Sequence, residues 1–520
     1  MKRLTKLLSL LFALALVAAA CGGGDDAEDT GGETEAEGDL AGGGVDDDAV
    51  AEALEETTTT EAMEDEAEAA GSIEELEAEW AEARAIVVDA LSSGDYGVGD
   101  DNILRGPGGF EVDLNNCPSD WSDTAGLDGN IVIGHTTAQS GNLAAYGNIG
   151  AGMEAYFDYV NDNGGINGQN IELIIKDDAY VATQTIELVD ELLQAENPFY
   201  VTTLGSPNTL AVYDTLNENC VPQPFVMTGH PAWGDPVEHP FTTGLQMSYS
   251  TEAVFWGNWI KDNLADDLPV KVGGLVMDND FGLAYKDSFE KWAEANPDVV
   301  SEFQAVPHDP AAPTVTNEMT TLAAGNPDVF ISMTAGNPCL LAVQEAGNSG
   351  LTESAKALFA PSVCKDPNAY MIPAGEAANG FLIVGGGVKA TTDPQYADDA
   401  YVSWVNSEME ARGLDTSIGL YGTGFAQYGW PHVEALRIAA ELEGGLSRTN
   451  LLLALRGMDL VHPLTLDGIS FSVNGAEDGY YIEGSEFSEY DAASESWTQL
   501  GAAIDLNGSS PKCSWTDEGC

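Results

Sequence analysis

Positive charge is what this 520-residue chain has least of: 18 Lys and Arg stand against 86 Asp and Glu, a formal net charge of −68. That imbalance excludes a partner gripped through its phosphates, whether nucleic acid or anionic lipid, because both require a cationic surface. The deficit is not confined to one tail. Residues 22–83 hold 24 acids and no Lys or Arg, and residues 84–520 still hold 62 acids against 15 bases. Acidity spread over the whole chain reads as adaptation to a saline setting, where screening over about 8 Å limits self-repulsion. Catalytic signatures are missing too. There is no G-x-S-x-G elbow, no P-loop, no H-E-x-x-H and no G-x-G-x-x-G after a strand. The glycines Gly147, Gly150 and Gly152 sit inside a helix pattern and read as close packing. No C-x-x-C or His-rich spacing suggests zinc, so neither a metal nor a cofactor is expected. The six histidines are scattered; His135 and His230 fall at strand ends but read as structural rather than catalytic. The chain is read as a non-enzyme.

Beyond Leu7–Ala20 there is no run of about 18 apolar residues, which excludes a further membrane-spanning helix of ordinary length. Leu7–Ala20 itself, preceded by Lys2, Arg3 and Lys6, has the make-up of an export signal over residues 1–20. It runs into Ala18-Ala19-Ala20-Cys21, which resembles the lipobox of bacterial lipoproteins apart from Ala18, where leucine is usual. That resemblance implies a lipidated Cys21; the alternative is an ordinary secretory signal with a chance cysteine. Two or three acyl chains anchor stably where one does not. Six cysteines remain: Cys117, Cys220, Cys339, Cys364, Cys513 and Cys520. An even number in an exported chain favours disulfides, and the expected pairs are Cys339–Cys364, Cys513–Cys520 and Cys117–Cys220.

Residues 21–71 are, after Cys21, Gly, Asp, Glu, Thr and Ala with almost no large apolar side chain, too polar to offset their ordering entropy, and are read as an acidic disordered linker. Residues 72–127 form a lead-in. Ser72-Ile-Glu-Glu75 is a capping box opening an amphipathic helix to about Leu91 through Leu76, Trp80, Ile86, Val87 and Leu91, either docked on the main body or standing as a stalk. From Ile131 strands and helices alternate. Ile149, Met153, Phe157 and Val160 stripe one helix, and Ile186, Val189 and Leu193 stripe the next. Short apolar strands end in small-polar turns that feed helices, most clearly at Ile131–Gly134 and Tyr200–Leu204. This grammar predicts an α/β fold of two doubly wound, Rossmann-like lobes with parallel sheets and helices on both faces. In such sheets ligands bind at the carboxyl ends of the strands, so Ser140–Tyr146 and Gly205–Thr209 are expected to wall a cleft. From Val461 the text turns to short strands and reads as a β-hairpin.

The run Asn161-Asp-Asn-Gly-Gly-Ile-Asn-Gly-Gln169, followed by Lys176-Asp-Asp-Ala-Tyr180 and LGSPNTLAVYDTLNENCVPQPFV, resembles the type I periplasmic (solute-)binding proteins of ABC importers. The branch it is most similar to binds branched-chain amino acids, amides or urea, in lipoprotein form. The resemblance covers about residues 130–506. It implies a three-crossing hinge, with lobe 1 at 128–246 plus 379–460, lobe 2 at 247–378 plus 461–510, and a tail at 511–520. It also implies an extracytoplasmic, lipid-anchored monomer that captures a small polar ligand (amino acid, amide or urea-like) between its lobes and delivers it to membrane permease subunits. Carried over by residue, Tyr146 covers the ligand. Ser206, with Pro207 beside it, takes a carboxylate at a helix start, where N–H groups and dipole favour anions. Thr228 and His230 form the second polar turn of lobe 1. Phe281, Thr334 and Asn337 belong to lobe 2, with Ser362–Lys365 as its remaining turn. Where leucine-type binders place a Glu for the ligand ammonium, this chain has Ser362-Val363-Cys364, with Asp366 displaced, so ligand identity stays open. A sensor presenting its ligand to a membrane receptor, or a secreted hydrolase on an α/β scaffold, are the alternatives.

Overall fold

The computed structural model describes residues 72–510; the expected signal, Cys21, the acidic linker and the Cys513–Cys520 pair lie outside the described residues. At the first described residue the Ser72 N–H donates to Glu75 Oε2 at 3.0 Å and opens helix α1, Ile73–Ser93. This helix docks rather than stands free. Trp80 packs edge-on against Tyr401 and Trp430 at 5.6 and 5.7 Å, and Arg84 donates to the buried Glu434 at 2.7 Å. The buried line is Trp80, Val87 and Leu91; Ile86, expected in the stripe, is 72 % exposed, because it falls next to Val87 and thus about 100° round the helix. Three short antiparallel strands, Gly97–Val98, Ile103–Arg105 and Glu111–Asp113, follow. The Cys117–Cys220 disulfide then ties the lead-in to the next unit.

The first sheet is built from β1 (Ile131–Thr137), β2 (Ile171–Asp177) and β3 (Tyr200–Thr203), all parallel, in the order β2-β1-β3. It extends onto β4 (Gln223–Val226) and β5 (Thr242–Gly244), another parallel pair, through the Met227 N–H donating to Thr203 O at 2.9 Å. Helices α2 (Gly147–Asp162), α3 (Ala182–Ala195) and α4 (Ser206–Glu218) connect these strands. The α2 stripe is buried as expected, whereas α3 buries Thr185, Val189 and Leu192 and leaves Ile186 42 % exposed. Thr185 takes the inner position because its hydroxyl donates to Asp178.

The second unit opens with α5 (Tyr249–Asn263) and continues through β6 (Val270–Met277), α6 (Asp280–Ala295), β7 (Val300–His308), α7 (Thr316–Ala324), β8 (Val329–Met333), α8 (Asn337–Asn348), β9 (Ala357–Ala360) and β10 (Phe381–Val384). The chain then returns to cover the first sheet with α9 (Ala400–Ala411), α10 (Gly429–Glu441) and α11 (Arg448–Gly457). Two last strands, β11 (Ser485–Asp491) and β12 (Ser496–Ile504), complete a seven-stranded second sheet ordered β7-β6-β8-β9-β10-β11-β12, with β11 and β12 antiparallel.

Two expected boundaries shift. β10 pairs with β9, so the return crossing lies after Val384 rather than at 379. Residues 461 to about 484 stay with the first unit: Asp459–Leu460 pairs with Phe471–Ser472, and the Tyr480 hydroxyl donates to Pro231 O at 2.9 Å. Asp459–Leu460 with Phe471–Ser472 thus form a short antiparallel pair in the region expected as hairpin, and a longer antiparallel pair follows at 485–504. Tyr480, Tyr481 and Ile482 between them are buried.

The middle crossing contains Gly385-Gly386-Gly387, with Gly386 and Gly387 at φ 77° and 70°. Lys365 Nζ donates to Glu486 Oε1, to Gly385 O at 3.2 Å and to Val388 O at 2.6 Å, while Glu486 Oε2 accepts the Gly387 N–H at 3.0 Å. A Cβ on Gly385 would sit 1.8 Å from the Glu486 carboxylate, so the glycine is what admits this buried pair to the hinge.

Candidate functional site

A cavity of about 150 Å³ lies where the two lobes and the crossings meet. Lobe 1 supplies Tyr146, Ile149, Tyr180, Gly205 and Thr228; lobe 2 supplies Phe281, Ser362 and Asp366; the crossings supply Gln246, Tyr249 and Thr391. The lobes touch across it. The Gly336 N–H donates to the Tyr146 hydroxyl at 2.9 Å, and Asn142 Nδ2 donates to Pro310 O and Ala312 O at 3.1 and 3.3 Å. Burial pushes the Tyr146 phenol up to about 12, so it stays a neutral hydroxyl at physiological pH.

Tyr180 reaches the cavity through a strained turn. Ala179 and Tyr180 both hold positive φ, 51° and 61°, which non-glycine residues rarely adopt. The preceding aspartates hold it: Asp177 Oδ1 accepts the Gln139 and Ala179 N–H groups at 2.8 and 2.9 Å. Asp178 accepts the Tyr180 N–H, the Thr185 hydroxyl and Asn208 Nδ2 at 2.9, 2.9 and 3.0 Å. The ring then lies over Gly205, where a Cβ would come within 2.4 Å of it.

Of the residues expected at the site, Tyr146, Thr228 and Phe281 line the cavity. Ser206 stands one hydrogen bond behind it, its hydroxyl 2.6 Å from that of Thr228. His230 is buried away from the cavity, its Nδ1 accepting the Ala232 N–H at 3.2 Å, and burial lowers its pKa to about 3. Thr334 pairs with the Ser332 hydroxyl at 2.7 Å. Pro207 and Asn337, at the starts of α4 and α8, do not line it either; Asn337 is exposed.

The lobe-2 turn 362–366 and, behind it, Glu252, which the sequence did not single out, complete the wall. Asp366 Oδ1 accepts the Asn368 N–H and the Thr392 hydroxyl at 3.0 and 3.2 Å, and Oδ2 the Gly419 N–H at 3.1 Å. Burial raises its pKa. Behind Ser362 lies Glu252, fully buried, whose carboxyl is pushed up to about 7 by desolvation against the pull of its donors Tyr285 and Ser362. The turn that carries Ser362 is pinned to the start of α8 by the Cys339–Cys364 disulfide. Lys365 and Lys389 border the cavity, but their ammonium groups turn to Glu486 and Asp399. Among the described residues no group of three His, Cys, Asp or Glu could hold a metal ion.

Residues 130–481 match the family model described as periplasmic binding protein. The chain belongs to that family. Its architecture is the type I periplasmic-binding-protein fold, mixed α/β with mostly parallel sheets. A branched-chain amino acid ABC transporter protein from Thermus thermophilus with bound valine is 16% identical over 72% of this chain and 96% of its own, with a TM-score of 0.63. A fatty acid ABC transporter substrate-binding protein from Thermomonospora curvata is 18% identical over 78% of this chain and 96% of its own, with a TM-score of 0.60. A solute-binding protein of an ABC transporter from Rhodopseudomonas palustris BisB5, in complex with 3,4-dihydroxybenzoic acid, is 18% identical over 74% and 99%, with a TM-score of 0.58. No curated protein sequence matches the chain. Members of the family are extracytoplasmic substrate-binding proteins that work with ABC transporters. No helix among the described residues is long and apolar enough to cross a membrane.

Proposed function

We propose that this periplasmic binding protein is a monomeric, lipid-anchored receptor of an ABC importer. It closes on one small solute and hands it to membrane permease subunits, and it performs no chemistry on it. The observation that carries the reading is the cavity at the junction of the lobes, bridged by the Tyr146–Gly336 hydrogen bond.

Size narrows the solute. A cavity of about 150 Å³ accommodates a body near benzene in bulk, so valine, a small amide or a single-ring acid fits. Tyr146, Tyr180, Tyr249 and Phe281 favour a compact apolar or flat body, and Thr228, Ser362, Asp366 and Thr391 supply polar contacts. Thr391 Oγ1 is buried without a protein hydrogen-bond partner, an opening for a ligand group. Cleft closure is a hinge motion of the kind this fold allows, and the glycine run at 385–387 is where it bends.

Native mass spectrometry of the purified protein, a thermal-shift panel of amino acids, small amides and single-ring acids, and small-angle scattering test the reading together. One retained or added solute, with a raised melting temperature and a smaller radius of gyration, is expected. No bound mass, no shift with any compound and an unchanged radius defeat it. For the anchor, the mass of the mature N-terminal peptide decides: diacylated Cys21 is expected, and an unmodified Cys21 removes the lipid.

A further inference from the structure

Glu252 lies in the first turn of α5 with no exposed surface. Its Oε1 accepts the Ser362 N–H at 2.7 Å, and its Oε2 accepts the Ser362 hydroxyl at 2.8 Å and the Tyr285 hydroxyl at 2.7 Å. An ionised carboxylate only accepts, and a hydroxyl has one hydrogen to give. Above neutral pH, where Glu252 is ionised although burial holds its pKa up at about 7, the hydrogen of Ser362 is therefore committed to Glu252, and what Ser362 Oγ has left to offer is lone pairs. Ser362 lines the cavity. The neighbouring polar group on that wall, the Asp366 carboxylate, is also an acceptor, already approached by the Gly419 and Asn368 N–H groups and the Thr392 hydroxyl. The two cations at its border point elsewhere, Lys365 to Glu486 and Lys389 to Asp399. On the opposite wall the Ser206 and Thr228 hydroxyls face each other at 2.6 Å, and either can be the donor.

We propose that Glu252 is a positioning residue that fixes Ser362 as a hydrogen-bond acceptor, so that the cavity selects ligands whose polar head donates (ammonium, amidinium or amide N–H) over carboxylate-headed molecules of the same shape. This rests on the solute-binding reading above and names the ligand class for that site. The role runs through Ser362: the carboxylate does not reach the ligand but decides which way the serine hydroxyl points. Replacing it by glutamine keeps the shape and turns the arrangement round, because the new amide N–H groups donate to Ser362 Oγ and release its hydrogen towards the cavity.

Benzamidinium and benzoate are nearly isosteric and opposite in hydrogen-bonding sense, and they are the probes, titrated calorimetrically into the full chain at about pH 8.5, where Glu252 is ionised. The unaltered protein binds benzamidinium at least about tenfold more tightly than benzoate, the size of one hydrogen bond between a charged group and its partner. Glu252→Gln and Ser362→Ala each lower that ratio by about tenfold, and the double variant lowers it no further than either alone. If Glu252→Gln does not fold, the fall in Ser362→Ala carries the test. Benzoate binding as tightly as benzamidinium, no binding of benzamidinium, or a ratio unchanged in Ser362→Ala overturns the proposal. So does a further fall in the double variant, which shows the charge acting on the ligand directly. The bound-mass and scattering measurements judge the solute-binding reading separately, so failure of the selectivity alone leaves that reading in place.

Discussion

Leu204–Val212 and Ala335–Val343 share one local design, a glycine, one residue, a proline, then Leu-Ala-Val, and they occupy equivalent places in the two lobes. In both the glycine is the residue before the helix, with φ 94° at Gly205 and 64° at Gly336, and the proline is the second helical residue. Proline near the start costs no hydrogen bond there, because the first N–H groups have no partner within the helix. What differs is what fills the turn. Gly205 faces the cavity under the Tyr180 ring, and Ser206 and Asn208 tie the α4 start to Thr228, Asp178 and Thr185. At Gly336 the N–H is taken by Tyr146 from the other lobe, Asn337 points to solvent, and the place of Asn208 is held by Cys339 in its disulfide. One copy lines the cavity and the other bonds across the lobes. Equivalent backbone does not mean equivalent site.

The lobes also differ in what they bury, and acid is the sharpest way to separate them. His135, with its pKa lowered to about 4, and His230, His432 and His462, lowered to about 3, all lie in lobe 1 and are held neutral by burial. Each contributes stability that is complete above the unfolded value near 6.5 and is lost as pH falls towards the folded one, a span worth about 3 kcal/mol for His135 and about 5 kcal/mol for each of the others. Glu252 in lobe 2 and Glu483 in lobe 1 run the other way: their carboxyls, raised to about 7, stabilise below about 4.5 and lose that contribution as pH rises to 7. The lobes thus differ in histidine, lobe 2 holding only His308, lowered by burial, among its described residues. Hydrogen exchange, corrected for intrinsic rates, should therefore show lobe 1 losing protection first between pH 6.5 and 4.5. Equal loss in both lobes contradicts the division.

Removing the bridge that distinguishes the second copy, by Cys339→Ser with Cys364→Ser, opens a loop of 25 residues and is expected to cost about 3 kcal/mol in denaturant unfolding. Next in size is Gly205→Ala, expected to cost about 2 kcal/mol, because φ there strains any side chain and the new Cβ meets the Tyr180 ring. Gly336→Ala is strained as well, but its nearest obstacle is Leu143 of the other lobe. It should therefore enlarge the radius of gyration of the liganded protein, where Gly205→Ala should not. The smallest effect belongs to Tyr146→Phe, which removes one interlobe hydrogen bond of about 1 kcal/mol and should weaken closure without changing the melting of either lobe.

Much of this architecture could be read from the residues alone, and the reasons for the rest are local. Alternating strands and helices with short connections leave few topologies, so the two sheets and the buried stripe of α2 follow from periodicity. Tyr180 was invisible as a wall residue because its direction depends on two consecutive left-handed residues held by carboxylates. Glu252 reads in sequence as an ordinary acid in a first helical turn; only the approach of Ser362, 110 residues later, makes it a buried acceptor. The turn at Thr334–Asn337 was expected at the ligand from the family resemblance; Ala335 lines the cavity, while the Gly336 N–H is taken by Tyr146 and Asn337 is exposed. The tail misled in part because aromatic residues with β propensity were needed as packing against lobe 1, and tertiary demand overrides strand propensity.

The docking of α1 has a mechanical side. A pull applied at Ser72 passes into α1, then through Trp80 and the Arg84–Glu434 pair into α10, and on through the Cys117–Cys220 bridge to the end of α4. Every stop on that route belongs to lobe 1. A force entering at Ser72 is therefore carried by lobe 1, and neither the glycines at 385–387 nor the cavity lies in its line.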